Sequence, residues 1–79
     1  MKLRSIKANC TEITLNDGTA VLFSYQTPVA ALWHNQWWRT AVTYSRTTTR
    51  HINAWLPRSV DATPVPQSWF ENLVNSQED

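Results

Sequence analysis

LNDGTAVLFSYQTPVAA, residues 15–31, joins a turn that few residue types can make to the longest apolar run of the chain. Gly18 is the only glycine in 79 residues, and the Asn16-Asp17-Gly18 step places it where a reversal needs φ > 0, so a hairpin is expected here. Four of residues 19–25, Thr19, Val21, Phe23 and Tyr25, are β-branched or aromatic. Their near-continuous apolarity predicts a central strand covered on both faces, with Val21, Phe23 and Tyr25 on one side and Ala20 and Leu22 on the other. Pro28 removes a ladder donor and extends Thr27, which predicts a bend at residues 26–28 before a new strand at residues 29–33.

Working outward, residues 11–15 alternate, with Ile13 and Leu15 opposite Glu12 and Thr14, as a half-buried strand does. Residues 2–7 read as a strand in which Leu3 and Ile6 fall off one alternation, so an irregularity or an edge position is expected. On the other side, His34-Asn35-Gln36 is a polar break of hairpin length before a strand at residues 37–43. The period then changes. In residues 45–56, SRTTTRHINAWL, Thr48, Ile52, Trp55 and Leu56 recur at helical spacing, Ser45, Thr47 or Thr48 can cap, and Pro57 must stop the helix. Residues 57–66 hold three of the four prolines and read as a linker; Pro66 then opens a short amphipathic helix with Trp69, Phe70, Leu73 and Val74. The acidic tail, residues 75–79, is expected to be unstructured. The fold expected is α+β: an antiparallel sheet of four to five strands, built from two hairpins, with a helix over residues 47–56 on one face. Residues 1–56 form that domain, 57–66 the Pro-rich linker, and 67–79 the short helix and tail.

So short a chain makes one domain at most. Cys10 is the single cysteine, which excludes an intramolecular disulfide and any cysteine cluster around zinc, and suits a reducing compartment. Nothing resembles a signal peptide or the roughly 20 apolar residues of a membrane span. The net charge of +1 conceals a difference between the ends: residues 1–57 balance at +4 and residues 58–79 at −3. Five tryptophans are more than a small core takes up easily, so some are expected in an interface. That surplus, with the amphipathic last helix, favours a homo-oligomer.

The residues offer little catalytic chemistry. His34 and His51 lie in different elements, with no acidic residue or cysteine at ligand spacing near either, and one glycine cannot build a phosphate-cradling loop. Cys10 and His51 can be drawn as thiol and base, but no acid or oxyanion donor accompanies them. The expectation is therefore no enzyme, no metal and no cofactor. Two binding constellations stand out. Trp33, His34, Trp37, Trp38 and Arg39 at the second hairpin tip have the composition of a protein-binding surface. Tyr44, Arg46, Thr47, Thr48, Arg50 and His51, around the start of the expected helix, combine hydroxyls and arginines that suit an anion such as a nucleotide phosphate. Ser45 and the threonines also serve simply as caps. Basic residues interleaved with Trp37, Trp38 and Tyr44 raise nucleic-acid binding as a weaker third reading, since +4 is little charge for a dedicated binder.

The run LNDGTAVLFSYQTPVAA followed by YSRTTTRHINAWL resembles a family of small proteins of unknown function encoded in bacteriophage and prophage genomes. Its pattern has the form L-x-D-G-T-x-V-L-x-S-Y-x-T-P-V-A followed by Y-S-x-T-T-x-R-H-I-x-x-W-L. The resemblance covers residues 15–56, including Asp17, Gly18, Ser24, Tyr25, Pro28, Tyr44, Ser45, Thr48, Arg50, His51 and Trp55. WHNQWW at residues 33–38 and the Pro-rich linker depart from it. The resemblance implies a phage or prophage origin, a bacterial host cytoplasm and no known activity. Small phage accessory proteins without catalytic residues act by stoichiometric binding: they block a host enzyme or a nuclease-based defence such as CRISPR, or sequester a signalling nucleotide. Inhibition of a host protein is the first expectation, and binding of a nucleotide or nucleic acid the alternatives.

Overall fold

The computed structural model describes residues 2–75. Strands β1 (Lys2–Lys7), β2 (Cys10–Thr14), β3 (Ala20–Ser24), β4 (Thr27–Trp33) and β5 (Gln36–Thr40) form an antiparallel meander. Helix α1 (Arg46–Trp55) then crosses the sheet, β6 (Thr63–Val65) returns parallel to β5, and α2 (Gln67–Asn75) follows. The sheet is six-stranded, in sequence order. Ile52 of α1 packs on Leu22 and Ala30, whereas Phe70 and Leu73 of α2 pack on Val21 and Ala31, the alternate residues of the same strands. The two helices therefore cover opposite faces, and β3 and β4 are buried from both sides, as the apolarity of residues 19–25 requires.

Turn chemistry sets the register. Gly18 adopts φ +91°, Asp17 Oδ1 accepts the Thr19 N–H at 2.9 Å, and the Leu15 N–H closes the loop onto the Thr19 carbonyl at 2.8 Å. Hydrogen bonds from the Thr19 side chain, and after it from the Thr19 backbone N–H, hold the Asp17 carboxyl below the usual carboxylate range. Gly18 is not alone in the left-handed region: Asn9, Tyr25, His34 and Asn35 join it at the tight turns. His34 and Asn35, with φ 52° and 62°, make a two-residue reversal of the kind whose twist matches paired strands.

Several expectations need correction. Pro28 lies inside β4, opposite Phe23, and the reversal falls one step earlier at Tyr25-Gln26; a register shift between Leu22 and Phe23 accommodates the proline. The strand after the second turn ends at Thr40, not residue 43. The helix begins at Arg46, capped by Ser45, whose Oγ accepts the Thr48 N–H at 3.2 Å; at the other end the Leu56 N–H closes on the Ile52 carbonyl. The sheet has six strands rather than four or five, because residues 57–66 include β6. Pro64 is tolerated there because β6 is a three-residue edge strand. The irregularity expected in residues 2–7 is present as a register shift between Ser5 and Lys7 on the other edge.

Helix α2 docks on its own chain. The Gln67 side chain donates to the Pro28 carbonyl at 2.7 Å and accepts from Thr40 Oγ1 at 2.9 Å, tying the start of the helix to β4 and β5, while Phe70 is fully buried. The apolar face that suggested self-assembly is thus taken up within the chain. Asn75 closes α2, and the remainder of the expected tail, residues 76–79, lies outside the described residues.

Candidate functional site

The tryptophans divide between the two faces of the sheet. Trp33 and Trp38 lie on the α2 side: Trp38 stacks on Trp69 with ring centroids 4.9 Å apart, Trp33 meets Trp69 edge-on at 5.8 Å, and Trp38 Nε1 donates to the Trp33 carbonyl at 3.2 Å. Trp37 lies on the α1 side, edge-on to Trp55 at 5.3 Å, and Trp55 Nε1 donates to Glu12 Oε1 at 2.7 Å. All five are half-buried. Adjacent residues of a strand point to opposite faces, so Trp37 and Trp38 cannot share a contact surface. The expected tip surface is therefore split. His34, in the exposed turn, stacks on Trp33 at 3.8 Å, while Arg39 goes with Trp37 to the α1 side and lines a concavity at the far end of that helix.

The second constellation is divided by the helical period. Thr48, His51 and Ile52 form the buried face of α1, and Arg46, Arg50 and Asn53, three or four residues apart, form its exposed face. Thr47 is also exposed. On the inner side, Ser24 Oγ of β3 lies 3.0 Å from Thr48 Oγ1 and 2.9 Å from His51 Nδ1, and Ser45 Oγ donates to Thr48 Oγ1 at 3.3 Å. Each hydroxyl has one proton to give. The order that uses each once runs from Ser45 to Thr48 to Ser24 to Nδ1 of a neutral His51. Burial, reinforced by the charge of Lys7, pushes the His51 pKa below its ordinary value, in keeping with that acceptor role.

Sequence reasoning missed Ser24. The signal for it was a hydroxyl two residues from Leu22, on the face of β3 that meets the inner side of α1. Ser24 and His51 have the spacing of a nucleophile and its base, but they are 2% and 3% exposed, so no substrate reaches them in this arrangement. Cys10, fully buried, has its thiol pushed up by burial, which disfavours the thiolate. Among the described residues no three His, Cys, Asp or Glu side chains gather as a metal site, and no helix is long and apolar enough to cross a membrane.

On the outer side, Tyr44 and Val42 are 45% and 44% exposed, in the segment that leads into α1. Thr43, Tyr44, Ser45, Arg46, Thr49 and Arg50 surround a shallow concavity of about 420 Å³ there. Two of the hydroxyls at this helix start are engaged: Thr49 Oγ1 donates to the Ser45 carbonyl and Ser45 Oγ serves as the cap. What faces outward includes two guanidiniums, the Tyr44 phenol ring and the Val42 side chain, beside the exposed Thr43 and Thr47.

No curated protein and no solved structure matches the chain. A family model described as a family of unknown function, DUF8033, matches residues 1–72, which takes in every element through most of α2. The chain belongs to the DUF8033 family of unknown function.

Proposed function

We propose that this protein is a non-enzymatic phage accessory protein that acts in the host bacterial cytoplasm by stoichiometric binding, inhibiting a host protein such as a defence nuclease. The contact surface is the segment leading into α1 together with the outer face of its first turns: Val42, Tyr44, Arg46 and Arg50. One observation carries this reading. The tryptophans are half-buried against one another and against the helices, whereas Tyr44, Arg46 and Arg50 stand exposed around a concavity with Val42 exposed two residues before Tyr44. Tyrosine and arginine are enriched among the residues that dominate binding energies at interfaces because they bring large contact area and directed hydrogen bonds. Residues 18–60 contain four arginines and no aspartate or glutamate, so the partner surface is acidic around an apolar centre.

The test is affinity capture from a bacterial lysate with the wild-type chain, Tyr44→Ala and the double variant Arg46→Glu/Arg50→Glu, after all three are shown to melt alike. The wild type retains a partner in a fixed molar ratio. Truncating Tyr44 weakens that complex by about 2 kcal/mol, roughly 30-fold in Kd, and the charge reversal abolishes it. Retention of the same partner by both variants contradicts the assignment.

A further inference from the structure

At the opposite end of α1 lies a second concavity, of about 490 Å³, within the range of small-molecule sites. Three segments converge on it. Arg39 comes from β5, where it is half-buried between Ala30 of β4 and Pro64 of β6; Asn53 comes from the outer face of α1; Arg58 and Asp61 come from the connection to β6, turned by a Val60 N–H to Pro57 carbonyl bond. Leu56, Pro57 and Val60 supply an apolar wall. Among the described residues no carboxylate lies within 4.0 Å of either guanidinium; the ion pair formed is Arg4 with Glu12, on the far edge of the sheet. Arg39 is half-buried as a residue and forms no ion pair among the described residues, so an anion entering the concavity meets a positive charge with no carboxylate in contact with it.

We propose that this concavity binds a phosphomonoester carried on a compact organic body, of the class of a nucleoside monophosphate. Arg39 and Arg58 present planar donor forks matched to phosphate oxygens, and the apolar wall takes the flat ring. Asp61, which lines the same concavity, repels the phosphate and accepts from sugar hydroxyls, to which Asn53 donates. The site is separate from the surface assigned to a protein partner, so either assignment can fail without the other.

Isothermal titration of the full chain with AMP, GMP, CMP and UMP, and with inorganic phosphate and adenosine as partial ligands, tests it. At least one monophosphate binds saturably at one per chain, and both partial ligands bind more weakly. Arg39→Gln and Arg58→Gln each lower the affinity about tenfold or more, as loss of a charged hydrogen bond to phosphate requires, whereas Arg46→Gln leaves it unchanged. Arg58 is exposed, so Arg58→Gln keeps the test informative if Arg39→Gln fails to fold. No saturation by any monophosphate at millimolar concentration, equal binding of inorganic phosphate alone, or unchanged affinity in Arg58→Gln overturns the proposal.

Discussion

Replacing Ser24 with alanine removes one oxygen, and the structure allows its cost to be worked out. Ser24 Oγ joins Thr48 Oγ1 at 3.0 Å to His51 Nδ1 at 2.9 Å, with all three residues buried. Without it Thr48 keeps Ser45, at 3.3 Å, and so loses about 1 kcal/mol, a typical net hydrogen bond. His51 Nδ1 keeps no partner of this kind, and a buried polar atom left unsatisfied costs about 1–3 kcal/mol. The sum is roughly 2–4 kcal/mol out of a total stability of about 4–12 kcal/mol for a domain of this size. In a domain so small each kcal/mol moves the melting temperature by about 4–8 °C, so Ser24→Ala melts on the order of 8–32 °C below wild type. Differential scanning calorimetry at neutral pH, with urea unfolding as a second measure, gives the number. A drop of under about 3 °C, well below the cost of one orphaned buried acceptor, refutes the claim that this chain of hydroxyls locks α1 onto the sheet.

Three further outcomes follow from the same structure. Because burial and Lys7 lower the His51 pKa in the folded state, the unfolded chain binds the extra proton first; this contribution to stability is complete above the ordinary histidine pKa and is lost as pH falls below it toward the folded value, which urea midpoints across mildly acidic pH measure. Phe70→Ala empties a fully buried site beneath α2 and costs about 3–5 kcal/mol, read by chemical denaturation. Gly18→Ala meets no atom within 4 Å, so its cost is the backbone strain of φ +91° alone, about 1–2 kcal/mol, and that loss appears in calorimetry without a change in the folded spectrum.

The residues that announced their structure did so through local physics. Apolarity on both faces of residues 19–25, the Asp17-Gly18 turn, the Ser45 cap and the stop at Pro57 each act within a few positions, and each is present. Strand β6 was illegible because its pairing partner, β5, lies more than twenty residues away and Pro64 interrupts a run only three residues long. The tryptophans misled for a related reason. Composition shows an excess of aromatic surface, but only the sheet alternation and the positions of both helices show that Trp37 meets Trp55 while Trp33 and Trp38 meet Trp69. His51 read as a surface ligand because it adjoins Arg50; one further step of 100° around the helix turns it inward to Ser24.

The central proposal is that the half-buried tryptophans pack within the fold and that the segment leading into α1 is the recognition surface. Hydrogen exchange on the complex with the captured partner tests it most directly. Protection gained across residues 41–50, with residues 33–38 exchanging as in the free protein, is the predicted footprint; protection confined to residues 33–38 contradicts it.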